Sequence, residues 1–334
     1  MILFDSILGN KKKCVLVFSP LSTVKNSSFG WWKTLKSIDA TILFIKDTEN
    51  KWYLDFYPDG GFNDFSKEII NEINKLNLDD DAKIFCVGPS MGGFAAFYYA
   101  KILGATSCFA TSIEETLNLP GSISTRHLKK SNCCFSLNKY LDNKISYYLF
   151  VGELDFFDLY SASRLPDYVN INVLPDTGHL VPNFLANNSL GISGVVNGLI
   201  GDWDLLYKRS PFAISEFKEI ISKLYEPWVL NLDRKSSNYE WDNLIIENYP
   251  RVFKFIIAKD LYFANKKEES LEIMLNIVNS QYFIDWDYYH FLGLIFRDLR
   301  RFDDALHFFK KSEILNPAAI ANSNQIEMLS KLVK

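Results

Sequence analysis

The stretch that decides the fold runs Lys83-Ile84-Phe85-Cys86-Val87-Gly88-Pro89-Ser90-Met91-Gly92-Gly93-Phe94-Ala95-Ala96-Phe97-Tyr98-Tyr99-Ala100. An apolar run leads into one serine set between glycines, and a helix-like run leads out. That order of strand, tight turn and helix is the context a G-x-S-x-G motif requires. A turn this sharp holds Ser90 in a strained backbone conformation. Side chains two residues before and two residues after would collide, so glycine stands at both places. The helix that follows aims its N-terminus at the serine, where negative charge is favoured.

Two further strand-like runs lie downstream and end in chemically useful residues. Ser146-Tyr147-Tyr148-Leu149-Phe150-Val151 leads into Gly152-Glu153-Leu154-Asp155-Phe156-Phe157-Asp158. Val169-Asn170-Ile171-Asn172-Val173-Leu174 leads into Pro175-Asp176-Thr177-Gly178-His179. The chain holds four histidines. His290 and His307 fall in a helical tail, and His127 sits in the basic stretch Arg126-His127-Leu128-Lys129-Lys130, ahead of the acidic turn. Ahead of that tail, only His179 follows both the serine and the acids.

With the elbow at Ser90, the Gly-x-x-Asp ending at Asp155 and the pair Gly178-His179, the chain resembles the alpha/beta-hydrolase superfamily over about residues 12 to 200. The resemblance implies a mainly parallel sheet and a triad in the chain order Ser, acid, His. Ser90 is then the nucleophile and His179 its base. Asp155 has the turn spacing expected of the orienting acid. Asp158 stands as the alternative, and Asp176 more naturally shapes its own turn. The first oxyanion donor falls to the N–H of Met91. The second falls to the loop Pro20-Leu21-Ser22-Thr23 after the strand Cys14–Ser19, with Leu21 or Ser22 as donor because Pro20 has no N–H. This loop lacks the His-Gly pair common in the family.

The first half alternates strand-like and helix-like segments, which implies an α/β architecture. A second strand is expected at Thr41–Ile45 and a helix at Phe65–Leu76, where apolar residues recur at spacings of three and four. Trp52 and Tyr53 follow the second strand, either as walls of an acyl or sugar pocket or as packing under a long loop. Residues 112–145 form an insert of the kind that builds lids, and it carries the basic cluster and Cys133-Cys134.

From about residue 205 the pattern turns helical. Tyr289, Leu292, Gly293, Phe296, Ala305, Phe309 and Pro317 match the spaced positions of a tetratricopeptide repeat. A weaker copy precedes them at Phe255, Ala258, Tyr262, Leu271 and Leu275. The expected division is a catalytic domain over 1–205 and a repeat-like all-α domain over 206–334, the latter suited to a protein partner or to self-association.

The 334 residues are 48 % hydrophobic and 23 % charged, with a net charge of −4, which gives no ground for nucleic-acid binding. No apolar stretch approaches the length that spans a membrane. The N-terminal Met1-Ile2-Leu3-Phe4 lacks a basic region before it and reads as no signal peptide. Five cysteines occur without metal-ligand spacing, so neither a metal nor a bound cofactor is expected, and a reducing, cytoplasmic setting suits them. The expected activity is serine acyl transfer onto water from a carboxylic ester or thioester, with a small-molecule or glycan ester as substrate. Two alternatives stand beside it: O-acetyl transfer from acetyl-CoA as co-substrate onto a bacterial surface polysaccharide, and an inactive scaffold acting through its helical tail.

Overall fold

Strands buried on both faces read as unbroken apolar runs, and five such runs build the centre of this protein. The computed structural model describes residues 1–21, 28–57, 61–119, 122–128, 135–175, 177–187, 191–201, 251–279, 286–317 and 320–332. The chain divides into two compact units. One comprises Met1–Gly152, Phe157–Leu174 and His179–Ile221; the other comprises Glu153–Phe156, Pro175–Gly178 and Ser222–Lys334. The boundary expected near residue 205 lies outside the described residues.

The first unit is a mixed, mostly parallel sheet with flanking helices. Its strands are β1 (Ile2–Ile7), β2 (Lys13–Phe18), β3 (Thr41–Asp47), β6 (Lys83–Pro89), β7 (Ser107–Thr111), β10 (Ser146–Gly152) and β11 (Asn170–Leu174). They stand in the order β1-β3-β2-β6-β7-β10-β11. All neighbours are parallel except β1, which runs antiparallel to β3 with Ile2 opposite Asp47 and Ile7 opposite Ile42. The six parallel strands fall where the sequence reads as strand-like, at Cys14–Ser19, Thr41–Ile45, Lys83–Val87, Ser107–Ala110, Ser146–Val151 and Val169–Leu174. β1 is an addition: the segment weighed only as a leader is an edge strand, and its residues are half-buried or exposed rather than fully enclosed.

Two short antiparallel ladders sit outside the main sheet. One joins β4 (Leu54–Phe56) to β5 (Phe62–Asp64). The other joins β8 (Thr116–Leu117) to β9 (Phe135–Ser136) within the insert. The flanking helices of this unit are α1 (Trp32–Leu35), α2 (Ser66–Lys75), α3 (Met91–Ile102), α4 (Ile123–His127), α5 (Phe156–Ser163), α6 (Val181–Asn187) and α7 (Gly191–Ile200).

Helix α3 is buried continuously from Met91 to Ala100. It packs on β2, β6 and β7. A side of the sheet carrying Val15, Val17, Ile42, Phe44, Val87, Phe109 and Phe150 packs instead on Leu35 of α1 and on Ile192, Val195, Val196 and Leu199 of α7. The two helix layers thus enclose the sheet, as the alternation of elements requires.

The approach of α3 to the sheet is close. A Cβ on Gly92 would stand 2.1 Å from the Phe18 carbonyl oxygen, and one on Gly88 would stand 2.5 Å from the Gly92 backbone. Gly93 is confined too, with Ile113 Cγ2 2.7 Å from where its Cβ would be.

The second unit is helical in its described part: α8 (Arg251–Phe263), α9 (Lys267–Asn279), α10 (Trp286–Asp298), α11 (Phe302–Leu315) and α12 (Ile320–Ser330). Consecutive helices pack as neighbours. Leu292, Ala305 and Phe309 are wholly buried, and Gly293 lets the Phe309 ring approach to 2.8 Å of where a Cβ would be. The spaced residues that marked this segment, the exposed Pro317 excepted, are therefore packing residues. Among the described residues no helix is long and apolar enough to cross a membrane.

Gly92 tests the tight packing directly. Gly92→Ala should lower folding stability by about 3 kcal/mol or more, since its methyl meets backbone that cannot yield. Gly104, which has φ +64° and open space around it, should cost only about 1–2 kcal/mol on the same change, from backbone strain alone. Thermal unfolding of the two variants measures the difference; equal losses would mean that α3 does not depend on this contact.

Candidate active site

Strand β6 ends at Pro89 and helix α3 begins at Met91, leaving Ser90 alone to reverse the chain. Its φ of 51° and ψ of −121° lie where a non-glycine residue is strained. The strain is held by two hydrogen bonds: the Ser90 N–H donates to the Thr111 carbonyl on β7 at 2.7 Å, and the Phe94 N–H donates to the Ser90 carbonyl at 3.0 Å. The side chain is left half-exposed at the carboxyl end of the sheet.

Two other strands supply the remaining groups. His179 lies past the end of β11, just before α6, and its Nε2 stands 3.1 Å from Ser90 Oγ. Its Nδ1 stands 3.0 and 3.1 Å from the two carboxylate oxygens of Asp158 in the first turn of α5. Asp158 is nearly enclosed, at 3 % side-chain exposure, whereas the imidazole keeps 22 %. An ionised carboxylate only accepts, so Nδ1 carries the proton and Nε2 is left to accept from the serine hydroxyl. Both ring nitrogens are thereby engaged.

The acid at Nδ1 corrects the expectation built on turn spacing, which put Asp155 there. The chain enters α5 at Phe156, directly after Asp155, and the first helical turn carries Asp158 to the imidazole. Spacing counted along an extended turn missed this, because a helical turn shortens the path.

Met91 occupies the first position of α3, where helix geometry leaves the N–H without an intrahelical acceptor. Leu21 is half-buried just beyond β2, while Ser22 and Thr23 lie outside the described residues.

Trp52 and Tyr53 do not wall an open pocket. Tyr53 is fully buried and Trp52 keeps 2 % exposure. The Tyr53 hydroxyl is 2.8 Å from the Ser19 carbonyl and 3.0 Å from the Ile45 carbonyl, and the Trp52 ring meets that of His127. The packing alternative holds for both. Arg126 is exposed on α4; Lys129, Lys130, Cys133, Cys134 and Asp176 lie outside the described residues.

Sequence reasoning passed over Glu114 and Glu115, which follow β7. Glu115 is wholly buried and accepts from the Thr116 and Ser136 hydroxyls and from Arg164 Nε. Glu114 accepts the Ser124 N–H at 2.9 Å, tying the start of α4 to the sheet. Burial pushes the Glu114 carboxyl above the usual carboxylate range, against the opposing pull of hydrogen bonds from Ser124 and Ser122 and the field of His179. Two adjacent acids beyond a buried strand were the available signal.

No family profile matches this sequence, and no curated protein does. Solved structures do match. The capsule O-acetyltransferase of Neisseria meningitidis serogroup A is 17 % identical with a TM-score of 0.41, over 53 % of this chain and 84 % of that one. XC6422 from Xanthomonas campestris, described as an a/b serine hydrolase without lid, is 12 % identical with a TM-score of 0.37, over 62 % and 91 %. Acyl-protein thioesterase 2 of Zea mays is 15 % identical with a TM-score of 0.38, over 59 % and 97 %.

The raised Glu114 sets a pH dependence. A carboxyl whose folded-state pKa is raised contributes stability below the ordinary carboxylate range and loses it as pH rises through the folded value. Glu114→Gln removes that loss. Its stability relative to the parent protein should therefore climb as pH rises from the ordinary carboxylate range through the raised folded-state value. Denaturant titrations across this range measure it, and a difference that does not vary with pH would contradict the burial argument.

Proposed function

We propose that this protein is a serine acyl-transfer enzyme that forms an acyl intermediate on Ser90 and, by default, passes the acyl group to water. The observation that carries this reading is the unbroken chain of hydrogen bonds from Ser90 Oγ through His179 to Asp158. A serine hydroxyl is a poor nucleophile unless a base takes its proton as it attacks. His179 Nε2 is at the distance for that transfer. Ser90 Oγ bonds to the carbonyl carbon, the carbonyl π pair moves onto oxygen, and the serine proton goes to Nε2. Asp158 stabilises the imidazolium and keeps its ring oriented. Collapse of the tetrahedral species expels the alcohol or thiol, which leaves with the proton from Nε2. Water then attacks the acyl group by the same sequence and frees Ser90.

The oxyanion needs preorganised donors. In this reading they are the N–H groups of Met91 and Leu21. The substrate is a carboxylic ester or thioester, of a small molecule or a glycan. With a sugar hydroxyl in place of water and acetyl-CoA as donor, the same residues would perform O-acetyl transfer. The helical unit is read as a repeat-type module for contact with protein, supported by the Gly293–Phe309 packing. Were the hydrolase-like unit only a scaffold, Ser90→Ala would leave the protein's activity intact.

A fluorophosphonate should label the protein at Ser90, and labelling should vanish in Ser90→Ala and His179→Ala. Labelling that survives His179→Ala would remove the imidazole from its role as base. Asp158→Asn should lower turnover of a short-chain ester by about 10³–10⁴-fold, because the amide imposes the wrong tautomer. Asp155→Asn should cost far less; the reverse ranking in steady-state assays would return the acid role to Asp155.

A further inference from the structure

Two consecutive bulky residues hold a left-handed backbone just beyond β3: Trp52 and Tyr53, each with φ 58°. Such residues cost of order 1–3 kcal/mol each and persist only when their surroundings over-determine them. Here the surroundings are in view. Asp47, 2 % exposed at the end of β3, accepts the Glu49 N–H at 2.9 Å on one oxygen, and on the other the Lys51 N–H at 2.6 Å and the Tyr53 N–H at 3.1 Å. The Tyr99 hydroxyl donates to the Tyr53 carbonyl at 2.7 Å. The Tyr53 ring meets Phe18 edge to face at 5.4 Å. Main chain, ring and strand are all secured, and what they deliver is one hydroxyl between two carbonyls, 2.8 Å from that of Ser19 and 3.0 Å from that of Ile45, the shorter contact being to Ser19.

Ser19 follows β2 and opens the segment that runs to Leu21. It is held on its other sides as well. Its N–H donates to the Ile45 carbonyl at 2.9 Å, and its Oγ accepts the Gly30 N–H at 3.0 Å. Its carbonyl oxygen lies only 2.8 Å from where a Cβ of Gly92 would stand. The carbonyl that Tyr53 grips is thus in contact with the first turn of α3, the turn that begins with Met91.

We infer that Tyr53 is a positioning residue for the oxyanion hole, its hydroxyl fixing the Ser19 carbonyl and so the Ser19–Leu21 segment against the start of α3. This inference rests on the acyl-transfer reading of Ser90. Tyr53 touches no reacting atom. It sets the spacing between the two donor segments, and the rate of a step that develops charge on oxygen depends steeply on such spacing. Ground-state binding does not.

Tyr53→Phe keeps the ring and deletes the hydroxyl. Fluorophosphonate inactivation kinetics separate the covalent step from initial binding. The expected result is a limiting rate lower by about tenfold, the scale of one hydrogen bond lost from the transition state, with the half-saturating probe concentration within about twofold of the parent value. A boronic acid that adds to Ser90 should lose affinity by the same factor, since it binds as the tetrahedral species does. An unchanged limiting rate in a folded Tyr53→Phe protein, whatever its melting temperature, overturns the inference. Should that variant fail to fold, Asp47→Asn keeps every ring and weakens the acceptor that holds residues 49–53; it must then show the same selective fall, and an unchanged limiting rate overturns the inference equally. If the parent protein takes no label, or Ser90→Ala takes as much, the acyl-transfer reading itself fails, and this inference with it.

Discussion

Everything at the carboxyl end of the sheet depends on how closely helix α3 meets strand β2. Gly92 rests on the Phe18 carbonyl with no room for a methyl group, and Gly88 faces the Gly92 backbone under the same limit. The chain can make so short a turn only by placing Ser90 at positive φ. Once there, the serine oxygen projects from the sheet instead of into it. The buried length of α3 opposes relaxation of this strain, because any shift of the first turn would displace the whole helix.

Loops above the sheet are organised by buried carboxylates. Asp47 ends β3 and gathers three backbone N–H groups. Glu114 receives the Ser124 N–H, and Glu115 receives two hydroxyls and the Arg164 guanidinium. Asp158 receives His179. The first three stand at or just beyond the end of a central strand, where the sheet ladder stops and backbone donors lose their partners, and Asp158 stands in the first turn of the helix that follows one. A carboxylate accepts on two oxygens at once, and hydrogen bonds to ionised acceptors are stronger than those to neutral ones. Long connections can therefore hold one conformation with few apolar contacts. Of these four acids, Asp158 is the one hydrogen-bonded to an imidazole, and that imidazole also reaches a serine hydroxyl.

The helical unit follows a different rule. Its helices pack through buried residues that recur along each helix, and residues of unlike size face one another. Gly293 receives the Phe309 ring, and Ala305 is enclosed beside it. Spacing along the chain marks such positions well, since a helix turns by a fixed angle per residue.

Local rules carried the reading of the sequence a long way. Apolar runs marked the five central parallel strands because a strand covered on both faces has no polar side to show, and Gly88-Pro89-Ser90-Met91-Gly92 marked the elbow because steric exclusion acts between residues close in the chain. His179 followed from its place after a strand. Contacts between distant segments were another matter. Which acid reaches the imidazole depended on where α5 begins. Whether Tyr53 faced a pocket or the core depended on Asp47, Tyr99 and Ser19 converging on it. The roles of Glu114 and Glu115 depended on α4 and Arg164 folding back over them. By itself, then, the sequence determined the sheet, the turn and which serine and histidine stand together at its carboxyl end, since these rest on periodicity, local sterics and order along the chain. Only the tertiary structure decided the acid and the scaffolding around it, because hydrogen-bond partners far apart in the chain are chosen by where folded loops come to rest.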